Sequence, residues 1–111
     1  MSDLAKKHCA PCTGETPRVA PAEVTRLLGT LPGYQADLLV GSISKTYEFS
    51  DYYETMAFVN AVAYIAHVED HHPELAVSYN RCGVTYSTHA IGGLSENDFI
   101  CAAKIEALVA R

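Results

Sequence analysis

Pro73 decides where the central helix of this chain must stop. Asp51 offers an N-cap with Glu54 three residues on, and Met56, Val59, Val62, Ala63 and Ala66 then recur at helical spacing. The pattern predicts a long helix running to about Glu69. Proline has no amide hydrogen for a helix interior, and it pushes its predecessor, His72, out of the α region. Asp70, His71 and His72 are therefore expected where the chain leaves the helix. Side chains at such an exit reach into a cleft while their backbone stays anchored to a packed element.

Two runs of alternating residues flank this helix. Residues 34–40 and 43–49 are separated by Gly41-Ser42, and Ile43, Lys45, Tyr47 and Phe49 alternate with Ser44, Thr46 and Glu48, which predicts a β-hairpin. Leu75, Val77 and Tyr79 alternate with Ala76 and Ser78, Asn80-Arg81 makes a turn, and a second alternating run reaches His89. Period-two geometry puts Thr85, Ser87 and His89 on one face of that last strand and Val84, Tyr86 and Thr88 on the other.

Shorter helices are expected at both ends. Val24, Leu27, Leu28 and Leu31 follow Pro21 at helical spacing and stop at Pro32-Gly33. Gly92-Gly93 breaks the last strand, and Ser95-Glu96-Asn97-Asp98 forms a capping box before Phe99, Ala102, Ile105, Leu108 and Val109. The order predicts an α+β domain, helix-hairpin-helix-hairpin-helix, with helices packed on one face of an antiparallel sheet. Residues 1–20, with Pro11, Gly14 and Pro17 and no apolar periodicity, are expected to be an irregular leader to a single domain over residues 21–111.

Composition removes several functions. Hydrophobic residues make up 49% and charged residues 19%, enough for a folded core. A net charge of −5 weighs against nucleic-acid binding, which needs surplus Lys and Arg. The absence of a long apolar run gives neither a signal peptide nor a membrane span, and a cytoplasmic protein is expected. In that compartment Cys9, Cys12, Cys82 and Cys101 are expected as free thiols, with Cys82 and Cys101 packing as small hydrophobes. His8-Cys9-Ala10-Pro11-Cys12 has the spacing of half a zinc site or a redox couple, but no second half follows and no strand precedes it, so a mobile arm is expected.

The chemistry-bearing residues are Asp70, His71, His72, Ser87, Thr88, His89 and Asp98. Imidazole, with a pKa of about 6.5, exchanges protons near neutrality without extensive tuning, so this set points to proton transfer. Asp98 also has a purely structural role open to it, as the capping-box acid. His67 and His71 have the spacing at which two imidazoles on one helical face hold zinc, but the glutamate of His-Glu-x-x-His is missing. No metal is expected.

The same residues resemble those of the pterin-4a-carbinolamine dehydratases. The resemblance runs from about Val24 to the C-terminus through Phe58, Asp70-His71-His72-Pro73-Glu74, Tyr79-Asn80, Ser87-Thr88-His89, Gly93-Leu94-Ser95 and Asp98. It implies a four-stranded antiparallel sheet with three helices, assembled as a homodimer or homotetramer. It implies that His71, His72, His89 and Asp98 are catalytic and that Asp70, Ser87, Thr88 and Ala90 flank the pterin. The reaction implied is loss of water from a 4a-hydroxytetrahydropterin to give the quinonoid dihydropterin. It requires no cofactor, and it would sustain tetrahydropterin recycling for an aromatic amino-acid hydroxylase, most naturally phenylalanine hydroxylase. His67 stands where the family commonly carries an acid. Relatives that act as dimerisation cofactors imply a second class, a protein-binding module, for which the apolar last helix would be either interface or core.

Overall fold

The computed structural model describes residues 3–110. In chain order the regular elements are α1 (Pro21–Leu28), β1 (Gln35–Asp37), β2 (Ser42–Glu48), α2 (Tyr52–Glu69), β3 (Glu74–Val77), β4 (Arg81–Tyr86) and α3 (Glu96–Val109). Short 3-10 turns occupy Asp3–Lys6 and His89–Ile91. The strands form one antiparallel sheet in the order β1-β2-β4-β3, and the α+β architecture is the expected one.

Alternation sorts the two central strands into a dry and a wet face. Ile43 and Tyr47 of β2 and Cys82, Val84 and Tyr86 of β4 are buried with Phe58 and Val62 of α2, whereas Ser44, Thr46 and Glu48 are exposed. Each such apolar side chain contributes about 1.5–3 kcal/mol on burial. Helix α3 is buried on several sides at once, through Phe99, Ile100, Cys101, Ala102 and Ile105, so these residues are core of the single chain, while Val109 at its end is exposed.

Three strand boundaries differ from the expected ones. The first strand stops at Asp37 because its side chain turns the chain: Oδ1 accepts the amides of Leu39 (3.0 Å) and Val40 (3.2 Å). Leu38, Leu39 and Val40 consequently stand exposed. Gly41, at φ +81°, closes this turn, and a Cβ there would lie 2.7 Å from the Cα of Gly93. The second hairpin turns at Tyr79-Asn80, closed by the Ser78 amide on the Arg81 carbonyl at 2.9 Å, so Tyr79 is exposed in the turn. Strand β4 ends at Tyr86, and His89 lies in the following 3-10 turn, not at the end of a polar strip on the sheet.

Helix α2 begins as expected, with Asp51 Oδ1 accepting the Glu54 amide at 2.8 Å, although Glu54 reaches back to the Ser50 amide and not to that of Asp51. It ends at Asp70, the only described non-glycine residue with positive φ (φ 53°, ψ 44°). The amides of Asp70 and His71 both return to the Ala66 carbonyl. This left-handed residue is why His71 does not continue the face of His67, which is exposed beside the Tyr64 ring.

The leader is irregular beyond its first turn but is tethered, contrary to the expectation of a mobile arm. Leu4 is buried, and Lys104 Nζ of α3 donates to the Ala5 carbonyl at 2.8 Å. Buried Glu69 accepts the Cys9 amide at 2.7 Å and lies 2.9 Å from His8 Nδ1. Burial works against the charge of Glu69, but the Cys9 amide, His8 and Lys104 outweigh it and hold the carboxyl below its ordinary range.

Two outcomes are expected. Asp70→Val, which forces a branched residue into the left-handed region, destabilises the fold by about 1–2 kcal/mol in urea unfolding, while Asp70→Gly is neutral or stabilising. Because the folded-state pKa of Glu69 is lowered, its contribution is complete above the unfolded value of about 4.3 and is lost as the pH falls through the folded value. Glu69→Gln should therefore flatten the acid side of the stability profile, measured as urea midpoints from about pH 6 downward.

Candidate active site

Three chain segments meet at Asp98. The capping box places this residue in the first turn of α3, where Oδ2 accepts the Ser95 amide at 3.0 Å. Oδ2 also accepts the Thr88 hydroxyl at 2.8 Å, and Oδ1 lies 2.7 Å from His71 Nε2. Thr88 spends its hydrogen on Asp98, so at the 2.7 Å contact with Ser95 it is the serine hydroxyl that donates. Asp98 is fully buried, and every one of these contacts is from a hydrogen-bonding group, which is the condition for keeping a carboxylate inside a core.

His71 is held from three sides. Its ring stacks on Tyr86, with centroids 5.8 Å apart and planes 7° apart, and its carbonyl faces the Cys101 thiol at 3.9 Å. With Nε2 committed to Asp98, Nδ1 is the ring nitrogen left for another partner. Tyr86 is pushed far above the usual phenol range, chiefly by burial and further by the neighbouring Cys101 thiol.

Beside this pair lies an open cleft of about 290 Å³, lined by Ser87, Thr88 and His89 together with Glu74, Thr85, Val40, Ser42 and the Gly92-Gly93 turn. Volume does not single it out, since a hollow of about 330 Å³ lies over Thr46, Ala76 and Arg81, further along the same face of the sheet. Its chemistry does: it gathers an imidazole, hydroxyls and a carboxylate, with Thr88 joining it directly to Asp98.

The structure thus joins His71, Thr88 and Asp98 by hydrogen bonds and puts Ser87, Thr88 and His89 on one cleft. His72 is exposed and faces the Pro73 carbonyl, at 3.4 Å, while Asp70 and Ala90 are exposed near the two chain exits. Sequence reasoning missed Tyr86, Ser95 and Glu74. Alternation puts Tyr86 on the apolar face and the capping pattern makes Ser95 a cap, and no spacing shows that one stacks on His71 while the other holds its partner Asp98.

The family profile described as Pterin 4 alpha carbinolamine dehydratase matches residues 17–108. The chain belongs to this family, a family of hydro-lyases. A Nitrosospira multiformis protein provisionally named pterin-4-alpha-carbinolamine dehydratase is 56% identical over 108 residues, covering 97% of this chain and 94% of its own. A Nitrosomonas eutropha protein of the same provisional name is 56% identical over 110 residues, covering 98% and 96%. Among solved structures, one described as a transcriptional coactivator/pterin dehydratase from Brucella melitensis is similar at TM-score 0.79 and 33% identity, covering 83% of this chain and 98% of its own. A pterin dehydratase-like protein described as a RuBisCO assembly factor in the alpha-carboxysome shares the fold at TM-score 0.56 and 24% identity, covering 68% and 84%.

Thr88→Val keeps the shape of the side chain but leaves Asp98 Oδ2 short of one donor and the Ser95 hydroxyl without its acceptor. A loss of about 1–3 kcal/mol in urea unfolding is expected, against little change for Thr85→Val three residues earlier, on β4.

Proposed function

We propose that this chain catalyses the dehydration of a 4a-hydroxytetrahydropterin to the quinonoid dihydropterin, with His71, His72, His89 and Asp98 as its catalytic group. The observation that carries the reading is the buried His71–Asp98 pair, joined through Thr88 to a cleft that holds a second histidine. Family membership supplies the substrate class.

The reaction protonates the departing 4a-hydroxyl and removes the N5 proton, while the N5 lone pair becomes the C4a–N5 double bond and water leaves. Atoms and electrons balance without an external oxidant or reductant. His71 and His89 exchange the two protons. Asp98 fixes the His71 ring and leaves Nδ1 for the substrate side, and the exposed His72 binds the ring system with Asp70, Ser87, Thr88 and Ala90. The cleft volume is close to the lower end of the ~300–1,000 Å³ usual for small-ligand sites, which suits a bicyclic ring.

On this reading the chain works in the cytoplasm, as a homodimer or homotetramer, and supports tetrahydrobiopterin recycling for an aromatic amino-acid hydroxylase such as phenylalanine hydroxylase. Among the described residues no helix is long and apolar enough to cross a membrane. A protein-binding role is the second reading, favoured by the coactivator description of the Brucella structure and by the exposed apolar turn Leu38, Leu39, Val40.

The deciding experiment follows dehydration of 4a-hydroxytetrahydropterin generated in situ by a hydroxylase. His71→Ala and His89→Ala should each lower the rate about 10²- to 10⁴-fold, with the wild-type rate insensitive to chelation. A folded wild type that gives no acceleration overturns the dehydratase reading and leaves the binding module.

A further inference from the structure

Cys9 of the leader meets Cys101 of α3, with the two sulfurs 3.5 Å apart. Cys12, the neighbour that a Cys-x-x-Cys spacing would pair with Cys9, is engaged elsewhere: its sulfur accepts from Asn97 Nδ2 at 3.0 Å. The backbone around Cys9 is pinned on both sides. Its own amide is bound by Glu69, while Ala10 exchanges two hydrogen bonds with the Asn97 side chain, at 3.1 and 2.7 Å. The sulfur contact is thus imposed by the way the leader is anchored. Among the described residues no group of three His, Cys, Asp or Glu side chains is placed to hold a metal ion, so these thiols form a pair and not a ligand set.

We propose that Cys9 and Cys101 form a reversible disulfide that clips the amino-terminal leader to α3. The sulfurs need to approach by about 1.5 Å to reach the ~2.05 Å of a disulfide, a movement that rotation of the half-buried Cys9 side chain supplies while its backbone stays pinned. The oxidant is a low-molecular-weight disulfide. Half-buried Cys9 reacts first: its sulfur displaces one small thiol and carries the other as a mixed disulfide. Cys101 then attacks the Cys9 sulfur and releases the second thiol. Two electrons pass to the small disulfide, and the two protein protons leave with the two thiols formed. Contact with Cys9 and burial hold Cys101 as a thiol, so it acts in the second step, and the reaction is slow.

The proposal is independent of the dehydratase reading, because its readout is covalent. The intact chain is incubated with glutathione disulfide, quenched by alkylation after unfolding, and mapped by mass spectrometry. The expected product carries a Cys9–Cys101 link with Cys12 and Cys82 alkylated. Closing nearly the whole chain into one loop should raise the thermal midpoint by more than about 5 °C, reversibly with a dithiol reductant. Cys12→Ser should retain both effects and Cys9→Ser should lose both. A Cys9–Cys12 link, glutathione that persists on Cys9, or an alkylated Cys101 after full equilibration overturns the proposal.

Discussion

The site depends on one buried carboxylate. Asp98 is fully buried, yet it accepts the Ser95 amide and the Thr88 hydroxyl and meets the His71 ring. These partners come from the start of α3, the exit of β4 and the exit of α2, so one side chain ties together three segments that the sheet alone leaves apart. A carboxylate in the first turn of a helix is also favoured by the positive end of the helix dipole. Removing any one partner leaves the others facing a charge that water does not reach, which is why the arrangement is all-or-none.

Reaching Asp98 requires α2 to end in a particular way. Pro73 stops the helix, but it is the left-handed Asp70 that turns His71 inward, onto Tyr86 and Asp98. Aspartate tolerates this conformation better than most side chains, at a cost that the buried His71 contacts outweigh. His72, one residue further, keeps an exposed ring. Two adjacent histidines are thereby given different environments by a single backbone torsion.

Much of this was legible in the sequence because it is local. Ser95-x-x-Asp98 announced its cap, Asp51 and Pro73 bracketed α2, and alternation along β2 and β4 gave the core face. What was not legible was non-local or resided in one side chain. Asp37 ended a strand by accepting two amides of its own turn, which residue-by-residue alternation does not register. The i,i+4 spacing of His67 and His71 suggested one helical face, and only the torsion of Asp70 separates them. The second oxygen of Asp98 finds an imidazole 27 positions away, a pairing that no spacing rule connects. Prolines and missing periodicity mark the leader as separate because the signal for its docking lies elsewhere, in the buried Glu69 that needs donors.

That docking bears on the site through α3. Asn97 and Cys101 are four residues apart on the helix and engage the leader, while Asp98, next to Asn97, engages His71. Lys104, one turn on, holds the Ala5 carbonyl. Neighbouring residues on one turn of a buried helix cannot shift separately, since its packed faces leave no room for a local adjustment. The contacts of the leader and the position of the Asp98 carboxylate are consequently set by the same rigid element. A fold that hosts different activities distinguishes them through such placements and not through its topology. Here one such placement, an imidazole on a desolvated carboxylate that Thr88 ties to an open cleft, is built from the ends of secondary elements, and the segment that composition alone would treat as a tail helps to seat the helix that carries it.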